Sequence, residues 1–255
     1  MASIDFSLTD KVVLVTGAGK GIGKEIALAC ADAGADIVAG SRTVSEVEQV
    51  AEEVRKVGQR AEAWQLDVAE VSSVEEFVRK TLDTFGRVDV LVNNAGVNKV
   101  QPALDVTEED FDYIVDVNFK GTFFMSQMVA KSMIEGGIQG RIINISSQVG
   151  VVGGPLRAPY SGAKGAVCLL TKSLAAEWAP HGITVNAVAP TVTRTPLSEG
   201  ALKNPEFQKM VTENVLMGRI AEPEEIAAAV IYLASDIAGM VTGHTHLVDG
   251  GWTAV

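Results

Sequence analysis

Tyr160 and Lys164 stand one helical turn apart in the run Tyr160-Ser161-Gly162-Ala163-Lys164, with Ser147 a short way upstream. Residues at i and i+4 share one face of a helix. A phenol exchanges protons poorly near neutral pH, because its free pKa is about 10. A neighbouring ammonium favours the phenolate and lowers that value by roughly 1–3 units. A serine hydroxyl beside the pair can hold and polarise an oxygen. The triplet therefore predicts acid–base work on a carbonyl or an alcohol. Alone, a tyrosine and a lysine at this spacing more often decorate a solvated helix face, so the assignment depends on what surrounds them.

The elements that position these groups are legible as an alternation. Strand-like runs fall at 11–16, 36–40, 60–66, 88–92, 140–146, 184–189 and 244–248. Helix-like stretches fall between them, at 22–34, 44–57, 70–85, 107–134, 159–179 and 222–235. The early strands are nearly all apolar, as strands covered on both faces are. The pattern predicts an α/β fold: a doubly wound parallel sheet of about seven strands, helices on both faces, and one domain over 1–255. Only 191–217 breaks the alternation, with Thr, Pro, Ser and Gly and a weak helical pattern. A long excursion at a strand end predicts a substrate lid, with an apolar face at Leu197, Phe207, Met210, Leu216 and Met217.

The first strand runs into Thr16-Gly17-Ala18-Gly19-Lys20-Gly21-Ile22-Gly23. Glycines at 17, 21 and 23 let the chain turn tightly and aim a helix N-terminus at a pyrophosphate. The spacing differs from the commonest dinucleotide fingerprint, but the physical logic is the same. At the end of the second strand the chain reads Ala39-Gly40-Ser41-Arg42-Thr43, with no acid at the turn. NAD sites place a carboxylate there for the ribose, whereas a 2′-phosphate needs a cation. Ser41, Arg42 and Lys20 therefore predict NADP(H) as the preferred cofactor, with NAD possible. Asp67 and Val68 end the third strand and Asn94-Ala95-Gly96 follow the fourth, where adenine and ribose bind in open α/β sheets. Taken singly, Asp67 also reads as a helix N-cap and Asn94 as an ordinary turn.

Composition excludes several classes. Asp and Glu outnumber Lys and Arg by 32 to 21, for a formal net charge of −11. That balance disfavours nucleic acid and anionic membranes, which need a basic footprint. The first ten residues have neither a basic start nor an apolar core, unlike a signal peptide, and no apolar run reaches the roughly 20 residues of a membrane span. The two cysteines, Cys30 and Cys168, lie in separate helix-like segments and read as small core residues in a reducing cytoplasm.

Taken together and in order, the motifs resemble the short-chain dehydrogenase/reductase family over essentially the whole chain. The residues that carry the resemblance are Thr16-Gly17-x-x-x-Gly21-Ile22-Gly23, Asn93-Asn94-Ala95-Gly96, Asn118, Ser147, Tyr160-x-x-x-Lys164, Asn186-x-x-x-Pro190 and Asp249-Gly250-Gly251. The resemblance implies a Rossmann-type fold, a nicotinamide cofactor and a catalytic set of Asn118, Ser147, Tyr160 and Lys164. Ser147 rather than Ser146 is selected by its spacing to the tyrosine. Tyr160 would supply the proton and Ser147 would polarise the carbonyl. Lys164 would lower the phenol pKa and bind the nicotinamide ribose, and Asn118 would anchor a water. Pro190, Thr191 and the Thr193 hydroxyl are expected near the carboxamide. Thr191 is a departure, since the family often has glycine there.

Substrate contacts are expected from Asn98, Ser147, Gln148, Arg157 and Tyr160. Arg157 could clamp a carboxylate or hydroxyls, or face a subunit neighbour. This mixture points to a small polar carbonyl or alcohol: a sugar, sugar acid, polyol or ketone. The second reading is a 3-oxoacyl-[acyl-carrier-protein] reductase, which gains from a basic docking patch that this acidic chain lacks. A reading of another class is a non-catalytic NADPH-binding sensor, which would not need the full catalytic set. His244 and His246 form an HxH pair too poor in further ligands for a metal site, and are expected to face another subunit. The helix-like segments 107–134 and 159–179 resemble the family's tetramer-forming pair, so a homotetramer is expected.

Overall fold

A computed structural model of the chain describes residues 4–255; the first three residues of the N-terminal segment lie outside it. Seven strands form one sheet: β1 (Val12–Thr16), β2 (Asp36–Ser41), β3 (Ala61–Gln65), β4 (Val90–Asn93), β5 (Arg141–Ile145), β6 (Thr184–Pro190) and β7 (Thr245–Val248). Their order is β3-β2-β1-β4-β5-β6-β7, and every neighbouring pair is parallel. All carboxyl ends therefore lie along one edge. The order reverses between β1 and β4, which opens a crevice there.

Ten α-helices connect and flank the strands: α1 (Gly21–Asp32), α2 (Val44–Lys56), α3 (Val71–Phe85), α4 (Glu108–Val115), α5 (Gly121–Glu135), α6 (Val149–Val152), α7 (Ala158–Trp178), α8 (Pro196–Leu202), α9 (Pro205–Asn214) and α10 (Pro223–Ala234). β1, β4, β5 and β6 are buried along their whole length, as strands covered on both faces are, and the few polar residues they carry, such as Asn93 and Asn144, are buried with them. On one face Ile26, Cys30, Val50, Ile226 and Val230 pack α1, α2 and α10 onto the sheet. On the other, Phe77, Met125, Met133 and Leu174 pack α3, α5 and α7.

Three features depart from the periodic reading. The stretch 107–134 is helical without interruption over 108–135, but its middle turn, Asp116–Lys120, is π-helical and divides it into α4 and α5. The 191–217 segment holds two proline-started helices, α8 and α9. They rest on their own small core of Leu202, Val211, Val215 and Ile220, with Phe207 and Trp252 against it. Of the apolar face expected there, Leu197 and Phe207 line the cleft at the carboxyl edge, while Met210, Leu216 and Met217 are exposed. Cys30 is buried, but Cys168 is only half-buried, its Sγ 3.1 Å from Ser146 Oγ.

Behind the carboxyl edge a buried polar chain crosses the sheet. Thr122 Oγ1 donates to the Asn118 carbonyl, Ser126 Oγ to the Thr122 carbonyl, and Asn93 Nδ2 to both Ser126 Oγ and Asn144 Oδ1. Asn144 Nδ2 then donates to Thr171 Oγ1, which donates to the Val167 carbonyl. The chain ties α5 through β4 and β5 to α7.

Among the described residues no helix is long and apolar enough to cross a membrane, and no group of three or more His, Cys, Asp or Glu could hold a metal ion. The His244 and His246 rings lie 6.0 Å apart at the β7 edge.

Candidate active site

The carboxyl ends of β1 to β6 enclose a cleft of about 420 Å³. Its lining includes Gly17, Gly19, Lys20, Gly21, Ile22, Gly23, Ser41, Arg42, Asp67, Val68, Asn94, Ala95, Gly96, Asn98, Ser147, Gln148, Arg157, Tyr160, Lys164, Pro190, Thr191 and Thr193. Of the sequence-predicted site residues, only Asn118 lies behind this wall.

The glycine loop fits a pyrophosphate. Gly17 and Gly21 hold φ of +64° and +57°, which side chains rarely adopt. A Cβ on Gly23 would overlap the Gly17 carbonyl and the Asn94 amide. Lys20 caps α1 without a side-chain hydrogen bond, so the first amides of the helix point into the cleft with no capping oxygen. Asn94 lines the cleft, and its Nδ2 donates to the carbonyls of Thr16 and Gly17, at 3.0 and 3.1 Å. It braces the loop from below. Asp67 closes an Asx turn by accepting from the Ala69 amide, while still facing the cleft.

Two contacts at this end carried no local sequence signal. Glu46, on the first turn of α2, reaches Lys20 Nζ at 3.3 Å and lines the same cleft. Arg42 Nη1 donates to the Tyr113 hydroxyl at 3.1 Å, across from α4. Both partners come from helix positions that only the tertiary fold brings beside the strand ends.

At the other end, Tyr160 and Lys164 lie on the first turns of α7 and Ser147 follows β5. Ser147 and Tyr160 both face the cleft, with Ser147 Oγ accepting from the Val149 amide at 3.4 Å, whereas Ser146 turns away and donates to the Lys164 carbonyl at 2.9 Å. Successive residues of an extended segment point oppositely, which separates the two serines. Lys164 is buried, its Nζ donating to the Ile145 carbonyl at 2.8 Å and lying 5.7 Å from the Tyr160 ring centroid. Burial lowers its pKa to about 8.

The Tyr160 phenol is pushed up by burial, opposed by the Ser147 hydroxyl and then by the Arg157 charge. In the protein alone desolvation is the largest influence and the opposing cation is Arg157; the lowering expected from Lys164 belongs to the complex with an oxidised nicotinamide.

Asn118 sits in the π turn, fully buried. Its Nδ2 donates to the Val97 and Ile114 carbonyls and its Oδ1 accepts from the Val97 amide. A Cβ on Gly96 would meet both Asn118 Oδ1 and Lys164 Nζ, so glycine lets these two side chains converge behind the strand end. Thr193 donates to the Thr191 carbonyl at 3.0 Å, and the hydroxyl of Thr191 is the one left unpaired. Asn98 Oδ1, Gln148 Oε1 and Arg157 Nε are likewise buried on the cleft wall with no hydrogen-bond partner. Buried polar atoms usually find a partner in the protein or in ordered water, and these four face the cleft.

Comparison with known proteins agrees with this architecture. The family profile described as "Enoyl-(Acyl carrier protein) reductase" matches residues 17–253. The chain is 38% identical over 250 residues to the 2-dehydro-3-deoxy-D-gluconate 5-dehydrogenase of Dickeya dadantii, covering 98% of both chains. It is 40% identical over 251 residues to the L-xylulose reductase of Bos taurus, covering 98% of this chain and all of that one. A crystal structure of a gluconate 5-dehydrogenase from Burkholderia cenocepacia, in complex with NADP and tartrate, superposes with a TM-score of 0.94 at 36% identity, over 98% of each chain. The chain belongs to the short-chain dehydrogenase/reductase family. It is an oxidoreductase of hydroxyl and carbonyl groups.

Proposed function

We propose that the protein interconverts a ketone and a secondary alcohol on a small polyhydroxylated substrate, with NADP(H) preferred over NAD(H). The observation that carries this reading is the meeting, in one cleft, of Ser147, Tyr160, buried Lys164 and the glycine cradle. The bound dinucleotide would supply or accept the hydride. In reduction, Tyr160 gives its proton to the carbonyl oxygen and Ser147 donates a hydrogen bond to the same oxygen as charge develops there. Lys164, held by the Ile145 carbonyl, places its charge beside the nicotinamide ribose and replenishes the phenol proton, and Asn118 anchors the water that links it to solvent. Gly17, Gly19, Gly21, Ile22 and Gly23 hold the pyrophosphate, and Asp67 and Val68 the adenine. Ala95, Gly96, Pro190, Thr191 and Thr193 would pack along the nicotinamide half.

The NADP(H) preference rests on Arg42, exposed at the end of β2 with no acid at the turn; Lys20 shares its charge with Glu46 and contributes less. The chain acts as one domain, with 191–217 as the lid. A homotetramer is supported by the groove between α4 and α7, lined by Phe111, Val115, Phe119, Ala163 and Ala166, and a cytoplasmic setting by the free cysteines.

The test is a turnover screen with NADPH against ketones, keto sugars, keto acids and 3-oxoacyl thioesters, the reactions run in both directions. Turnover of keto sugars or keto acids is expected, with NADPH at least about tenfold tighter than NADH. Turnover confined to 3-oxoacyl thioesters would reassign the substrate, and binding without any turnover would make the protein a sensor.

A further inference from the structure

Arg157 is the cation of the cleft that has no partner among the described residues. Four cations line the cleft: Lys20, Arg42, Arg157 and Lys164. The first is paired with Glu46, the second bonds Tyr113, and Lys164 bonds the Ile145 carbonyl. The Arg157 side chain has no ion-pair or hydrogen-bond partner among the described residues, and its Nε is buried. The two carboxylates on the cleft wall, Glu46 and Asp67, both belong to the nucleotide end. No acid lines the catalytic end, in a chain whose net charge is −11.

The backbone holds Arg157 in that place. Leu156, just before it, has φ +61°, a conformation a leucine rarely takes, and its side chain is exposed. Its carbonyl accepts a hydrogen bond from the Gln101 amide at 2.8 Å. The loop is thereby tied to the segment carrying Asn98. Arg157 is the N-cap of α7 and stands one turn before Tyr160, so a group bound to its guanidinium lies within one helical turn of the reacting phenol. A Cβ on Gly154 would meet Val149 Cγ1 and Arg157 Cδ, so glycine leaves room there for the stem of the Arg157 side chain.

We infer that Arg157 is a carboxylate anchor, and that the substrate class is a hydroxy or keto acid rather than a neutral polyol or sugar. The planar guanidinium takes a carboxylate in a two-pronged contact that a hydroxyl cannot match. The unpaired Asn98 Oδ1 and Gln148 Oε1 accept from hydroxyls further along the same molecule. A carboxylate at Arg157 and a carbonyl at Tyr160 and Ser147 sit a few carbons apart, which suits a short polyhydroxy acid. The inference rests on the catalytic reading above and adds the charge of the substrate to it.

The experiment compares a keto acid with its uncharged counterpart, such as the corresponding ketose, as substrates of the full chain with NADPH. The ratio of their kcat/KM values is measured for the unaltered protein, Arg157→Met and Arg157→Lys. The acid is expected to win by about 10–100-fold in the unaltered protein, chiefly through KM. That ratio should collapse towards one in Arg157→Met, with part of it kept in Arg157→Lys. Should the methionine variant fail to fold, the unaltered protein still decides the question through competitive inhibition. A hydroxy acid should then inhibit at least about tenfold more tightly than the polyol of the same length. Equal ratios across the variants, or equal inhibition by acid and polyol, would overturn the anchor while leaving the oxidoreductase reading intact. No turnover of either substrate would overturn that reading and the anchor with it.

Discussion

The two ends of the cleft are built on opposite terms. At the nucleotide end the chain has settled its own accounts: glycines shape the cradle, Asn94 braces it, Lys20 leans on Glu46, and Arg42 leans on Tyr113. At the catalytic end four polar atoms on Asn98, Gln148, Arg157 and Thr191 are buried without partners. The first end has its polar side chains paired within the protein, its cradle shaped by backbone and its charge supplied by Arg42. The second is completed by the ligand, so it discriminates: the wrong substrate leaves those atoms unpaired, at a cost of roughly 1–3 kcal/mol each.

The largest expected effect separates the two ends outright. Tyr160→Phe should lower turnover by about a hundred- to ten-thousandfold while leaving NADPH affinity, read by fluorescence titration, within about twofold by the same separation of sites. In the unaltered protein alcohol oxidation should rise with pH, because the phenol must be deprotonated to act as base and burial holds its pKa up; the residual rate of the variant should lack that limb. Retained turnover would merge the two ends and break the assignment of Tyr160.

A smaller effect tests whether the nucleotide end reads charge at all. Arg42→Asp should weaken NADPH binding by about tenfold or more and NADH binding much less, since the substitution replaces a phosphate partner with a like charge. Equal loss for both would mean that the β2 turn shapes the pocket without choosing the cofactor. The smallest effect concerns Glu46. Its carboxylate competes with phosphate for Lys20 in an exposed pair, and such pairs are worth only about 0.2–1 kcal/mol. Glu46→Gln should therefore tighten NADPH by about twofold to fivefold, measured against NADH in the same titration.

The sequence was most informative where chemistry follows the strand ends. The parallel sheet, the glycine loop and the placing of Ser147, Tyr160 and Lys164 were all readable, because strand–helix alternation fixes which residues reach the carboxyl edge. What escaped was set by contacts between distant elements. The π turn at Asp116–Lys120 inserts no break in hydrophobic pattern, so 107–134 reads as one helix, yet that turn aims Asn118 at Val97. Glu46 and Tyr113 sit on helix faces that look solvent-exposed until α2 and α4 are docked. The phenol's upward shift follows from burial, a quantity absent from a list of neighbours. In the lid, the exposed Met210, Leu216 and Met217 were indistinguishable from core by composition alone.

The polar chain from Asn118 through Ser126, Asn93 and Asn144 to Thr171 has a consequence for motion. Each link needs its neighbours to stay desolvated, and any local opening would strand several donors and acceptors at once. The helices bearing Asn118 and Lys164 thus share the lifetime of the sheet centre: α5 and the middle of α7 should exchange their amide hydrogens as one slow unit with β4 and β5. The lid helices, outside that unit, are left free to breathe on their own clock.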